Sequence, residues 1–188
     1  MARPKSDDKR GAIMAATTRV IAVQGLGAAT ATVAQEAGVS NGSLFTYFAT
    51  KSDLLNQLYV ALKAEMGAAA LDGLPVESDN RAQLLHLWSH WLRWAASHPE
   101  KRRTLAQLDV SDAITAESRR AAHDAFAAVR ALLERSREHG PLRAAPLEYV
   151  AALLSALAEA TSDCMIRDSA NADTYRADGF EALWRMVA

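Results

Sequence analysis

Apolar residues along this chain recur at helical spacing, and no segment shows the strict alternation that is typical of strands. The apolar pattern and its interruptions predict about nine helices. Their approximate bounds are 6–24, 30–37, 40–48, 51–71, 84–95, 100–108, 115–139, 146–167 and 173–187.

The ends of several helices are marked by residues with a clear capping or stopping chemistry. Gly25 follows the first helix, and Thr50-x-x-Asp53 has the spacing of a capping box that opens the fourth. Gly140 is expected to adopt a left-handed cap after the seventh helix, where Pro141 prevents continuation. Pro146 stands at the first turn of the next helix.

Composition favours an all-α protein. Half of the residues are apolar, only 6% are aromatic, and the chain has 9 Gly and 5 Pro. The single cysteine excludes an intrachain disulfide framework, as is usual in a reducing cytoplasm. No signal peptide is recognisable, and no uninterrupted apolar run approaches the ~20 residues that cross a bilayer. We therefore expect a soluble cytoplasmic protein with no membrane partner.

Charge is distributed unevenly. Residues 1–51 carry six Lys or Arg and three Asp or Glu, whereas the remainder carries fifteen basic and nineteen acidic residues. The basic excess includes an arm at residues 1–5, and its position favours nucleic-acid contact confined to one end of the molecule.

The two short helices have the spacing of a helix-turn-helix. Ala34 is placed where the helices come closest, and Gly38 stands in the turn, where a positive φ is expected. Ser40 is positioned to cap the second helix. The expected small core between the helices consists of Val33, Ala37, Val39 and Leu44. The second helix presents short or flat hydrogen-bonding side chains that suit a major groove: Asn41, Ser43, Thr46 and Tyr47.

The segment VAQEAGVSNGSLFTYFATKSDLL closely resembles the recognition region of the TetR (tetracycline-repressor) family of bacterial regulators. The family pattern has Ile/Val-Ala, Ala-Gly-Val-Ser, x-Gly-x-Leu-Tyr-x-Tyr-Phe and Lys-x-x-Leu-Leu, and the strong match covers about residues 30–55. The resemblance implies a three-helix DNA-binding domain, residues 1–50, and a C-terminal helical domain, residues 51–188. The C-terminal domain is expected to bind a small-molecule inducer and to form a homodimer through its last two long helices.

Carried over residue by residue, the resemblance also assigns DNA contacts. It places Asn41, Gly42, Ser43 and Phe45 at base edges of an operator, and Thr30, Thr46, Tyr47 and Lys51 at phosphates. Phe45 stands where the family usually has Tyr, so a hydroxyl contact is lost there while contact with a thymine methyl remains available. The segment from Gly25 to Val33 is about one residue shorter than is usual in the family. This difference changes where Thr30 stands relative to the phosphate that it is expected to contact.

The C-terminal part of the chain carries candidate ligand and dimer residues. Trp88 and Trp91 lie on the apolar stripe of their helix, where they serve either as core or as the aromatic wall of a pocket. The resemblance places that pocket near Met66, Phe126 and Met165. Ala152, Ser155 and Ala156 share a small-residue face with Glu159 and Asp163, and this face is expected to contact the dimer partner or the pocket rim.

Two other classes of function deserve comparison. His86 and His90 have the i, i+4 spacing of metal ligands, but without a Cys or a third His beside them a solvated face is the preferred interpretation, and no metal or cofactor is expected. No Ser-His-Asp arrangement or phosphate-binding glycine loop indicates an enzyme. The alternative to a ligand-responsive repressor is a regulator of the same fold that lost operator binding and acts through a protein partner.

Overall fold

The computed structural model describes the backbone of residues 5–188 and the side chains of residues 8–188, so the side chains of the basic arm lie outside it. The described part contains ten α-helices, one short 3-10 turn at Ser169–Asn171 and no strand. The helices are α1 (Lys5–Gln24), α2 (Thr30–Glu36), α3 (Asn41–Tyr47), α4 (Lys51–Leu71), α5 (Asn80–Ser97), α6 (Pro99–Asp109), α7 (Ala116–Ala125), α8 (Ala127–Ser136), α9 (Leu147–Arg167) and α10 (Ala172–Val187).

The all-α class is confirmed, and the predicted helix over 115–139 is in fact two helices, α7 and α8, that meet at Phe126. The backbone of Phe126 has φ −103° and ψ 12°, which lies outside the α-helical conformation. The bend packs against Gly67 of α4: a Cβ at Gly67 would lie 3.3 Å from the carbonyl oxygen of Ala125 and 3.5 Å from the Phe126 ring. Close packing against a glycine accompanies this break, at a place where the sequence has neither Gly nor Pro.

Gly140 does not form the left-handed cap that the sequence suggested. The preceding helix ends at Ser136, and Gly140 is not among the glycines with positive φ in the described residues, which are Gly25, Gly38 and Gly73. A Cβ at Gly140 would lie 1.8 Å from the carbonyl oxygen of Val187. Glycine is therefore required there because the backbone of α10 passes too close for any side chain.

The described residues group into two compact units. The first comprises the chain up to Ala64 together with His98–His123, and the second comprises Glu65–Ser97 together with Asp124–Ala188. In the first unit α1 packs against α2 and α6, and α2 packs against α3. Its core consists of Ile13, Ala16, Val20, Ala28, Val33, Ala34, Leu44, Phe48 and Leu54.

The core of the second unit is built where α5, α8, α9 and α10 pack together. Trp88, Leu92, Phe180 and Leu183 lie in this core and are each at most 2% exposed. The helices come very close at Gly179 of α10, where a Cβ would lie 2.7 Å from Thr161 Oγ1 and 2.8 Å from Trp88 Cζ2. Burial of these large side chains is the main source of stability in this unit.

Helix α9 is unusually apolar for a helix with so much exposed surface. It is the one helix among the described residues that is long and apolar enough to cross a membrane by length and composition alone, although polar residues interrupt its sequence. Only 28% of its most apolar 18-residue stretch is buried within the chain. Its exposed side chains include Tyr149, Ala152, Ser155, Ala156, Ala160, Asp163 and Ile166. Glu159 is half-buried.

Candidate DNA-binding site and ligand-binding region

The turn between α2 and α3 has the predicted geometry. Gly38 has φ +67°, a conformation that costs glycine little and other residues more. The amide of Val39 donates to the carbonyl of Ala34 at 3.0 Å, and Ser40 Oγ accepts from the amide of Ser43 at 3.0 Å. The N-cap prediction for Ser40 is therefore confirmed, and α3 starts at a fixed position relative to α2.

The face of α3 that points inward holds it against the rest of the helix-turn-helix. Leu44 is fully buried, and Val33 and Ala34 of α2 are 4% and 2% exposed. Ala37 and Val39 are half-buried and pack against the same core. The predicted small core between the two helices is confirmed, which leaves the opposite face of α3 held in place for contacts with another molecule.

That opposite face carries most of the residues assigned to DNA contact. Asn41, Gly42, Phe45 and Thr46 are exposed, and Phe45 is 41% exposed, which is high for an aromatic side chain. Ser43 and Tyr47 are half-buried, as is Thr30 at the start of α2. Thr46 Oγ1 donates to the carbonyl of Gly42 at 3.3 Å. Apart from the aromatic ring of Phe45 the face is polar, and it carries no charged side chain. It therefore suits direct hydrogen bonding to base edges.

Lys51, at the first position of α4, is half-buried and bonded to the loop between α1 and α2. Its Nζ donates to the carbonyl oxygens of Leu26 and Ala28, both at 2.7 Å. Because an ammonium group has three donor hydrogens, one remains for a further acceptor such as a phosphate oxygen. The structure thus gives Lys51 a supporting contact that the sequence pattern did not indicate.

The start of α4 is fixed by the predicted capping box. Thr50 Oγ1 accepts from the amide of Asp53 at 3.0 Å, and Asp53 Oδ2 accepts from the amide of Ala49 at 3.0 Å. The carboxylate therefore reaches one residue further back than in the usual reciprocal arrangement. These bonds set where α4 begins, and with it where Lys51 stands.

Comparison with known proteins identifies this arrangement. The family model of bacterial regulatory proteins of the tetR family matches residues 13–58, which span the second half of α1 through the start of α4. Residues 13–58 form a TetR-family DNA-binding domain. Members of this family are DNA-binding transcription regulators and not enzymes, so the helix-turn-helix described above is a DNA-binding element.

Solved structures extend the likeness over the whole chain. A TetR-family regulator from Shewanella sp. PV-4 is 26% identical, with a TM-score of 0.84 over 94% of this chain and 96% of that one. A regulator from Marinobacter aquaeolei VT8 is 23% identical, with a TM-score of 0.88 over 100% and 99%. LfrR from Mycobacterium smegmatis, solved in complex with proflavine, is 18% identical, with a TM-score of 0.70 over 96% and 98%.

The candidate ligand residues all lie in the second unit, but in two groups. Trp88 belongs to the core cluster, and the half-buried Trp91 and Met165 pack against that cluster. Met66, 7% exposed, and Phe126, half-buried beside Gly67, are not part of it. The indole N–H of Trp88 donates to the carbonyl of Arg176 at 2.9 Å, so its polar atom is already satisfied within the chain.

Trp94 and Glu65 form a polar contact that the sequence reading missed. Trp94 is 5% exposed, and its indole N–H donates to Glu65 Oε1 at 3.0 Å. The two residues are 29 positions apart. On the helical wheel Trp94 falls at the edge of the apolar stripe of α5, and its partner Glu65 lies on α4, so the local sequence does not indicate the contact.

His86 and His90 stack on each other rather than spreading around an ion. Their ring centroids are 3.9 Å apart, and His86 Nε2 lies 2.8 Å from the carbonyl oxygen of Asp72. Both are half-buried, so the solvated face assumed from the sequence is more enclosed than expected. Burial, with the neighbouring His86 and Arg93, lowers the pKa of His90. Among the described residues no group of three His, Cys, Asp or Glu side chains is arranged to hold a metal ion.

Proposed function

We propose that this protein is a ligand-responsive repressor that binds a palindromic operator as a homodimer in the cytoplasm and is released by a small-molecule inducer. Residues 1–50 would form the DNA-binding domain, and residues 51–188 the sensing and dimerisation domain. The observation that carries the proposal is the exposed face of α3, which presents Asn41, Gly42, Phe45 and Thr46 on a helix fixed from behind by Leu44.

A dimer is supported by the surface of α9. Tyr149, Ala152, Ala156, Asp163 and Ile166 are all exposed and recur at intervals of three to seven residues, so they share one side of the helix. Small side chains allow another helix to approach closely, and an apolar helix with this much exposed surface is stabilised when a second copy covers it. We call α3 the reading helix. Two copies of the chain place two reading helices on one duplex, which is what a palindromic operator requires.

A flat aromatic inducer is supported by the tryptophans of α5 and by the proflavine complex of LfrR. Trp91 is half-buried and packs against the edge of the core cluster, so part of its side chain remains exposed. We propose Met66, Trp88, Trp91, Phe126 and Met165 as ligand-binding residues. An inducer releases DNA only to the extent that it binds the released conformation more tightly than the DNA-bound one.

The DNA-binding proposal is tested with two variants that should behave differently. Lys51→Ala is expected to weaken binding to all duplexes, because it removes a phosphate contact. It should also reduce the slope of the logarithm of the binding constant against the logarithm of the salt concentration by about one. Asn41→Ala should instead change which bases are preferred, since each good base contact is worth ~1–3 kcal/mol. Fluorescence anisotropy with DNA from upstream of the protein's own gene, over a range of salt concentrations, measures both.

Lys51 also bonds the α1–α2 loop, so the two contributions have to be separated. If Lys51→Ala lowers affinity but leaves the salt slope unchanged, the lysine acts through the carbonyls of Leu26 and Ala28 and not through a phosphate. If both quantities are unchanged, it has no part in binding. Failure of the wild-type protein to bind any such duplex would favour the partner-dependent regulator and contradict the repressor.

The inducer proposal is tested with proflavine. We expect proflavine to quench tryptophan fluorescence and to weaken operator binding about 5- to 150-fold, the usual range of coupling between two sites. Trp91→Ala should shift the midpoint of this response to higher proflavine concentration while operator affinity without proflavine stays the same. Trp184→Ala, another half-buried tryptophan of the same unit, is the matched control. An unchanged midpoint in Trp91→Ala places the ligand elsewhere.

A further inference from the structure

The helix-turn-helix of this chain carries almost no charge. From Thr30 to Thr50 the sequence has no Lys or Arg, and its one charged residue, Glu36, is bonded to Arg19 of α1 at 2.7 Å. The commonest specific contact of a protein with guanine is made by Arg or Lys, which donate hydrogen bonds to O6 and N7 in the major groove. The reading helix therefore lacks the side chains that recognise guanine best.

Arg10 of α1 and Lys51 of α4, which flank this element in the fold, are engaged within the chain. Arg10 donates to Gln57 and lies over the ring of Phe48, 5.5 Å from its centroid. Lys51 is bonded to the loop between α1 and α2, and its remaining donor is assigned to a phosphate in the proposal above. The side chains that enter the major groove with α3 are thus its own uncharged ones.

Asn41 offers the first base-specific contact. It is exposed and is the first residue of α3, and the N-terminal residues of a recognition helix are the ones that reach base edges. A carboxamide matches adenine, because its oxygen accepts from N6 while its nitrogen donates to N7. Ser43, the other polar side chain near the start of the helix, has a hydroxyl that bonds either kind of base pair and so discriminates little. Asn41 therefore favours an A·T pair over a G·C pair.

Phe45 adds an apolar surface one turn further along the reading helix. It is 41% exposed, whereas Leu44 beside it is fully buried, so much of the ring lies outside the core. A phenyl ring makes no hydrogen bond to a base edge and gains free energy by covering another apolar group. The C5-methyl of thymine is the apolar group that base pairs present in the major groove, and Phe is among the side chains that contact it. Phe45 therefore favours thymine.

We propose that the reading helix selects A·T pairs through the major groove, with Asn41 on an adenine and Phe45 against the C5-methyl of a thymine. The two residues are four positions apart, which is about 6 Å along the helix axis and corresponds to roughly two base-pair steps of about 3.4 Å. The adenine and the thymine are therefore expected about two base pairs apart in each half-site. The proposal rests on the operator binding proposed above and adds the kind of sequence that is bound.

The first test finds the position read by Asn41 and then changes its major-groove edge alone. Random duplexes are selected for binding to the full chain, and the selection is repeated with Asn41→Ala to show which position loses its preference. We expect an A·T pair at that position. Inosine is guanine without its N2 amino group, so an inosine·cytosine pair resembles G·C in the major groove and A·T in the minor groove. This exchange in one half-site should weaken binding roughly 5- to 150-fold, the range of one good base contact.

The second test removes single methyl groups from the selected duplex. Replacing each thymine of one half-site in turn with uracil deletes only its C5-methyl. At one position we expect wild-type binding to weaken about fourfold, the equivalent of ~0.8 kcal/mol for one buried methylene. Phe45→Ala should bind the thymine and uracil duplexes equally. Val110→Ala, which truncates an 83% exposed apolar residue of the same unit, is the matched control and should show the wild-type difference.

The outcomes separate this proposal from the one on which it rests. Phe45→Leu keeps an apolar side chain and should retain part of the uracil effect, and circular dichroism checks that each variant is folded. Guanine at the position read by Asn41, no loss with uracil at any thymine, or an equal loss in Phe45→Ala would each overturn the A·T preference proposed here. A wild-type protein that enriches no sequence overturns the proposed function instead.

Discussion

Replacing Trp88 with alanine is expected to lower the free energy of unfolding by about 3–5 kcal/mol. Trp88 is 2% exposed and lies in the core of the second unit with Leu92 and Phe180. The substitution removes the largest side chain of this cluster and leaves the carbonyl of Arg176 without its indole donor. Because α10 passes so close at Gly179 that a Cβ there would meet the indole ring, the space left behind is bounded by backbone and cannot easily collapse.

Urea denaturation followed by circular dichroism measures this loss. Trp184→Ala, which truncates a half-buried tryptophan of the same unit, is the control and should cost clearly less. Trp88→Phe should fall between the two, since it keeps most of the apolar contact and loses the hydrogen bond. A loss below about 1 kcal/mol for Trp88→Ala would show that the residue is not part of the packed core.

Replacing Ala156 with arginine is expected to convert the proposed dimer into a monomer and to reduce DNA binding to the non-specific level. Ala156 is exposed in the single chain, so the folded chain accommodates an arginine there without strain. In a dimer formed through α9 the same arginine is an unpaired charge in a helix–helix contact, which typically costs several kcal/mol. Each monomer then carries one reading helix, and a palindrome gives it no advantage over other DNA.

Sedimentation velocity and anisotropy with the operator duplex check the two parts of this result. Ala96→Arg, at an exposed position of α5, introduces the same side chain away from α9 and should remain a dimer that binds the operator. A dimer that survives Ala156→Arg places the interface on another surface. A monomer that still binds the operator at full affinity would separate dimerisation from DNA recognition.

The DNA-binding domain could be predicted from the sequence because its structure is determined locally. Gly38 in the turn, Ser40 at the N-cap and the Thr50/Asp53 capping box each act within four residues of their own position. Residues that act at such short range leave a readable pattern. The same holds for Leu44, which is the apolar residue of α3 on the side of Val33 and Ala34 and is buried, while its neighbours Ser43 and Phe45 are half-buried and exposed.

What the sequence did not reveal depends on residues that are distant along the chain. The break at Phe126 accompanies packing against Gly67, and the need for glycine at position 140 comes from the carbonyl of Val187. Neither partner can be identified from the local sequence. The same holds for Asn56 of α4, whose side chain donates to the carbonyl of Ala113 and accepts from the amide of Thr115, 57 and 59 positions further along the chain. A buried polar side chain needs such partners, but the local sequence does not show where they lie.

The exposed apolar surface of α9 has a consequence for how stable this protein is at different concentrations. If a second copy covers that surface, the folded dimer is favoured by mass action, and its midpoint of thermal unfolding rises with protein concentration. Dilution then uncovers the small side chains of α9 before it unfolds the core around Trp88. For such a dimer, the concentration of chains would set the fraction that is paired, and with it the fraction that can occupy both halves of an operator.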